Sequence, residues 1–486
     1  MSLPSFHMHE RPRLSVFVRA SESHWIFWAL VLLISINTSS TEAQMAPKPL
    51  PPQPLTAARA VEYGLENNRR LKAAGQDVAA AAERVRQTRA DFLPRLDGRY
   101  RFQHLKDEPF AALGREGSAT QPGGSATFQT GYLNQSRWEV ELSQPLFTGF
   151  GITAQHNISR MDRRIAERRH DGTRLDVQRD IERAFFQVLL GEKLVRVAGD
   201  NVKSLQVQKK NAEASFEQGL TARNDVLKAD VALAQSLQQE RAAVKDVTIL
   251  RSRLNQLLDL PASTHLELAE EEIVIHRTPD LDHHYALAER QRPEIQELEE
   301  AILQTREGIV AARSRYYPQV SAFAQYYRDG NDFFANNNEF TNEHNAAVGV
   351  RVNWNLFEGG KADATVRELM YREAALEERR RDLVQQIRLQ VEDAFEQLHV
   401  AKADIETART ALRQAEENER MTTLQYKEQL VIFLEVLNAQ VFLAQTRADF
   451  YRALYGYRIA WADLERAVGG SLTGTDLNGH AEPLEP

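Results

Sequence analysis

Asp225 and Glu435 have the strongest claim to chemistry in this sequence, because they occupy equivalent places in a duplicated stretch. Recurring carboxylates hold a negative potential and favour cations, which is selection rather than bond-making. Other candidates are weaker. Asp282-His283-His284 suggests a metal site, but adjacent residues point differently on any element, so a solvated connector is expected. Glu270-Glu271-Glu272 reads as a solvated face. There is no Gly-x-Ser-x-Gly, no phosphate loop and no His-Glu-x-x-His. The absence of cysteine excludes a disulfide framework, a thiolate metal site, a cysteine nucleophile and a lipid-bearing N-terminal Cys. The reading is therefore no enzyme, no cofactor and no metal. A net charge of −8 gives no support to nucleic-acid binding.

The elements that carry the two acids repeat. A constant shift of 210 residues maps Gln144-Pro145-Leu146-Phe147 onto Trp354-Asn355-Leu356-Phe357, Ile181-Glu182-Arg183-Ala184-Phe185 onto Val391-Glu392-Asp393-Ala394-Phe395, and Asp225-Val226-Leu227 onto Glu435-Val436-Leu437. Upstream, Phe92-Leu93-Pro94 matches Tyr316-Tyr317-Pro318 at a shift of 224, so the first half carries 14 extra residues. They fall in the polar stretch 107–130, which reads as a long exposed loop.

Each half follows one plan. A helix from about Leu55 to Phe92 stops before Pro94, since the residue before proline disfavours helix. Two strands follow, expected at 95–106 and 132–148, and at 319–328 and 346–357 in the second half. Then come two long helices. Gly172, Gly191 and Gly199 weaken the first without ending it. In the last helix Leu430, Leu437, Ala444 and Tyr451, with Leu434, Val441, Ala448 and Tyr455, form a heptad seam of the coiled-coil kind.

The expected organisation is a signal peptide at 1–43, a linker at 44–54, a first repeat at 55–259, a connector at 260–290, a second repeat at 291–469 and a disordered tail at 470–486. Arg11, Arg13 and Arg19 precede the apolar stretch Trp25 to Ile36, the pattern of an export signal. No later segment reads as a transmembrane helix, so any membrane role must use strands.

The strands alternate cleanly. Trp138, Val140 and Leu142 oppose Arg137, Glu139 and Glu141; Val348, Val350 and Val352 oppose Gly349, Arg351 and Asn353. That pattern suits a membrane barrel and equally a sheet half-buried against helices. Four strands cannot close a membrane barrel, and an open edge cannot face lipid, so closure would need several copies. Three copies give twelve strands.

On these junctions, and on Phe216-Glu217-Gln218-Gly219-Leu220-Thr221 followed by Asn224-Asp225-Val226-Leu227, the chain resembles the TolC-like outer-membrane efflux family from about Leu55 to Gly469. The resemblance implies a mainly α fold with a small β part. Long coiled-coil-like helices form a tube, and four strands per chain contribute to a trimeric twelve-stranded transmembrane barrel. It implies a homotrimer in the outer membrane, in contact with its lipid and reaching into the periplasm. Such a duct is passive and works with a periplasmic adaptor and an inner-membrane pump of RND, ABC or MFS type. A protein-secretion duct shares that plan, and a periplasmic coiled-coil scaffold outside any membrane is the competing class.

The resemblance also points to sites. The turns between long helices would be the periplasmic tips, with Gly219, Leu220, Thr221, Gln429 and Leu430 as adaptor contacts. Asp225, Glu435, Asn438 and Tyr426 would form the periplasmic gate and selectivity ring. Two departures stand out. Asn438 falls where the family has a second acid, and Val431 falls where an arginine is expected, with Arg223 as its candidate substitute.

Overall fold

The computed structural model describes residues 50–114, 125–219, 221–275, 279–472 and 482–483. The expected signal peptide, most of the linker and Leu220 lie outside these residues. In order the chain forms α1 (Ala57–Asn67), α2 (Arg69–Ala90), β1 (Arg95–His104), β2 (Phe110–Gly114), β3 (Ser125–Gln129), β4 (Asn134–Phe147), α3 (Gly151–Glu217) and α4 (Arg223–Leu257). Then follow β5 (Val274–Ile275), α5 (Leu281–Gln291), α6 (Pro293–Arg313), β6 (Gln319–Gly330), β7 (His344–Asn353), α7 (Lys361–Lys427), α8 (Phe433–Val468) and β8 (Glu482–Pro483). No helix among the described residues is long and apolar enough to cross a membrane.

The first helix of the first repeat is two helices, not one. Asn68 breaks it: its side-chain oxygen accepts from the N–H of Arg70 (2.9 Å) and Leu71 (3.3 Å), and its amide donates to the Leu257 carbonyl (2.8 Å). Asparagine is a good N-cap because its side chain satisfies donors the helix start leaves open. α3 and α7 have 67 residues each, or about 100 Å at 1.5 Å per residue. Gly191 does not interrupt α3; a Cβ there would stand 2.8 Å from Val247 Cγ2, so the glycine lets α4 approach.

The main sheet is antiparallel in the order β1-β4-β6-β7. Its polar face carries ion pairs: Arg99 with Glu139 (3.5 Å), Arg351 with Glu141 (3.2 Å) and Arg137 with Asp329 (2.5 Å). The apolar face is uncovered. Val348 is 86% exposed, Leu96 69% and Val350 62%, which removes the reading of a sheet packed against helices of its own chain. Such a face needs an apolar solvent or a partner. The 14 extra residues do not leave a plain loop: β2 and β3 pair there as a separate antiparallel hairpin.

Helices and strands keep one order. Next to the sheet, α2 packs on α3, α3 on α6 and α6 on α7, matching β1-β4-β6-β7. Further along, α4 packs on α3, α3 on α8 and α8 on α7. The main core lies midway, where α1, α5 and the connector wrap the long helices around Phe185, Ile181, Leu254, Ile387, Leu398 and Tyr457.

Four further expectations change. His284 is not solvated: it is fully buried, its Nδ1 lies 2.9 Å from the Asp280 carbonyl and its ring is 5.3 Å from that of Phe395. The acidic run is not all free, since Glu271 accepts the Ala57 N–H (2.8 Å) at the start of α1 and Glu270 pairs with Lys193. The start of the tail is fixed: Glu465 accepts from Ser471 Oγ (3.1 Å) and Leu472 N (3.0 Å), Leu472 is buried, and β8 pairs with β5. The heptad seam divides. Leu437, Ala448 and Tyr455 are buried within the chain, while Leu430, Leu434 and Val441 stay exposed, because α8 packs on α3 and α7 and has a further side uncovered.

Candidate functional site

Both tips use the same backbone. After α3, Gly219 takes φ +73 and donates to the Phe216 carbonyl (2.9 Å). After α7, Gln429 takes φ +62, donates to the Tyr426 carbonyl (3.0 Å), and Leu430 donates to Gln425 (2.8 Å). These bonds satisfy carbonyls the helix end would leave open. Thr221 is half-buried and Leu430 is 74% exposed.

Each tip hands over to a helix whose first turn holds the acid. Asp225 donates its backbone N–H to Ala222 (2.9 Å), and Glu435 donates to Ile432 (3.0 Å). Carboxylates are favoured there by the helix dipole, worth about 0.3–1 kcal/mol. Their surroundings differ. Asp225 is half-buried and 3.5 Å from Lys228. Glu435 and Asn438 are exposed on α8.

Between the two hairpins sits a small apolar cluster. Leu205 and Ala212 of α3, Ala229 of α4 and Phe433 and Leu437 of α8 are buried together. Tyr426 packs on it, with its ring 5.6 Å from that of Phe433. Burial first, then the nearby Asp225 carboxylate, pushes the Tyr426 hydroxyl above the usual tyrosine range. It is therefore a neutral hydroxyl across the physiological range. The structure thus brings Asp225 and Tyr426 to one place and leaves Glu435 and Asn438 outside it. Val431 is half-buried and Arg223 exposed.

Sequence reasoning missed Phe433. The signal was present: Phe433, Val436, Leu437 and Gln440 are buried at helical spacing, one face away from part of the seam chosen from the heptads.

One comparison shows the family and another the fold. The model for outer membrane efflux proteins matches residues 61–259 and 285–470. The chain is similar to the outer membrane channel CmeC of Campylobacter jejuni, at 15% identity and TM-score 0.68, covering 85% of each chain. It is similar to VceC of Vibrio cholerae (15%, TM-score 0.68, 85% of this chain and 96% of that one). It also resembles the open state of the MtrE channel of Neisseria gonorrhoeae (16%, TM-score 0.68, 85% and 89%). At such identity these likenesses speak to the fold. No curated sequence matches.

Proposed function

The chain belongs to the outer membrane efflux protein family, and from that premise we propose that three copies close its sheet and helices into one duct from periplasm to exterior. The protein is an outer-membrane efflux channel, not an enzyme, and works as an oligomer with adaptor and pump partners. The observation that carries the threefold reading is the pair of free edges. With four antiparallel strands in the order β1-β4-β6-β7, β1 of one copy meets β7 of the next in antiparallel sense. Closure removes every edge, as lipid requires. The helices support it, since α2 or α4 lies at one flank and α7 at the other at both levels. The uncovered apolar face then meets lipid and the ion-paired face lines the lumen.

At the periplasmic end, Gly219, Leu220, Thr221, Gln429 and Leu430 meet the adaptor, and the pump selects the cargo. Asp225, Glu435, Asn438 and Tyr426 make up the gate region, with Glu435 and its two copies setting a negative potential at the entrance. Native mass spectrometry of detergent-extracted protein, with planar-bilayer recording, tests both parts. Three chains per particle and a cation-preferring pore are expected, and Glu435→Ala raises conductance and weakens the preference. A monomer without conductance rejects the duct; unaltered recordings for Glu435→Ala reject only the ring.

A further inference from the structure

Where the strands meet the helices, one left-handed turn position holds a bulky side chain in place of glycine. Phe150 lies at φ +69, in the left-handed region, next to Gly149 at φ +57. A bulky side chain is disfavoured there, and the repeat-equivalent position is Gly360 at φ +80. Strain of this kind persists where surrounding structure holds it, and it points to a role for the side chain. The Phe150 ring is 59% exposed and stands edge-on to Phe147 (5.9 Å) and Tyr317 (6.5 Å). A bulge between Pro145 and Phe147 places Phe147 opposite Val320, on the apolar face of the sheet. The three rings therefore mark the helix-side end of that face.

Two cations lie close by in the chain. Arg313 and Arg315 flank Ser314, whose carbonyl lies where a Cβ on Gly149 would come within 2.7 Å and whose side chain abuts Gly151. Both arginines are exposed, and neither forms an ion pair among the described residues. In the adjoining strands Arg95, Arg99, Arg137 and Arg351 each reach a carboxylate, while Arg101 of β1 forms no ion pair among the described residues. Arginine without a counter-ion, beside exposed aromatic rings at the end of a lipid-facing sheet, has the chemistry that meets phosphate above acyl chains.

We propose that this collar binds anionic phospholipid of the periplasmic leaflet, with Arg313 and Arg315, on different sides of their helical turn, each offering its guanidinium to a separate phosphate group and Phe147, Phe150 and Tyr317 against the acyl chains. The proposal rests on the outer-membrane reading, and its test is separable from it. The purified oligomer is exchanged into detergent with equal phosphatidylglycerol and phosphatidylethanolamine, and retained lipid is counted by native mass spectrometry. A factor of about five for each arginine, acting at separate headgroups, predicts a preference for phosphatidylglycerol of about five-fold. Arg313→Gln with Arg315→Gln brings it near parity while subunit number and conductance stay unchanged; the double lysine variant keeps most of it. Phe150→Gly lowers total retention of both lipids. Equal retention by the natural protein, or a preference that survives the double glutamine variant, overturns the proposal. Retention that follows added lipid A instead overturns the assignment to the periplasmic leaflet. Failure to find an oligomer or pore would instead count against the duct.

Discussion

The two repeats share a backbone and differ in the residues placed on it. At the strand-to-helix junction the first repeat uses Gly149-Phe150 and the second Gly359-Gly360, all at positive φ. At the tips the order reverses: the first repeat has Gly219 and the second Gln429. At these two turns each half therefore carries one non-glycine residue where glycine is preferred, and at the end of the second long helix Asp259 (φ +56) stands where the second repeat has Gly469 (φ +90). The duplicated fold dictates the turn, while the local side chain reflects what else the position must meet. For Phe150 that is an exposed ring beside two others; nothing in the structure explains Gln429.

The sharpest break in the comparison is at the start of the last helix. Phe433, 2% exposed, is the repeat-equivalent of Arg223, which is exposed. Only the second repeat thus inserts an aromatic between the hairpins. Truncating a buried phenylalanine costs about 3–5 kcal/mol through lost burial and the cavity left behind. Phe433→Ala is expected to lose that much stability and to widen the periplasmic end, seen as higher conductance. Arg223→Ala is expected to stay within about 0.5 kcal/mol. Thermal unfolding of the solubilised oligomer measures both; equal losses would mean the cluster does not hold the hairpins together.

A second equivalent pair separates by burial. Glu182 and Glu392 match across the repeat. Glu392 is exposed and accepts from the Tyr285 hydroxyl (3.3 Å). Burial, with the neighbouring Glu465 carboxylate, pushes Glu182 up from 4.5 to about 7; a bond from Gln178 and the charge of Arg458 only partly offset this. The sign follows from the raised value. The folded chain takes up the proton first as pH falls through about 7, so stability rises between pH 8 and pH 5. The ionised form at pH 8 costs up to about 3 kcal/mol. Glu182→Gln should raise the unfolding temperature at pH 8 and do little at pH 5, whereas Glu392→Gln should move it less at either. A flat pH response in the natural protein would show that Glu182 is better solvated than its position implies.

Much of this is legible in the sequence. The 210-residue shift, the prolines after Phe92-Leu93 and Tyr316-Tyr317, and period-two alternation around Val140 and Val350 identify strands and long helices from local rules. What escaped depends on distant partners. Asn68 breaks a helix because the Leu257 carbonyl waits for its amide. His284 is buried because α5 is laid against α7 and α8. The 14 extra residues hide a hairpin because Phe110 to Gly114 pairs across a polar gap. Phe433 lies outside the heptad rows because these mix residues facing the chain's own hairpins with residues left exposed, as Leu430 and Val441 are.

The smallest expected effect tests the reversal between the tips. Gln429 holds φ +62 with a side chain on an exposed turn. A left-handed conformation costs a non-glycine L-residue about 1–2 kcal/mol, and glycine loses part of that advantage through greater freedom when unfolded. Gln429→Gly should therefore stabilise the second tip by at most about 1 kcal/mol. Gly219→Ala should destabilise the first by a similar amount; with no atom within 4 Å of its added Cβ, the loss reflects backbone strain alone. Paired melting curves measure the two changes. If Gln429→Gly instead weakens the protein or abolishes adaptor-dependent efflux, the glutamine side chain has a partner at the tip, and the asymmetry between the repeats belongs to docking rather than to chance.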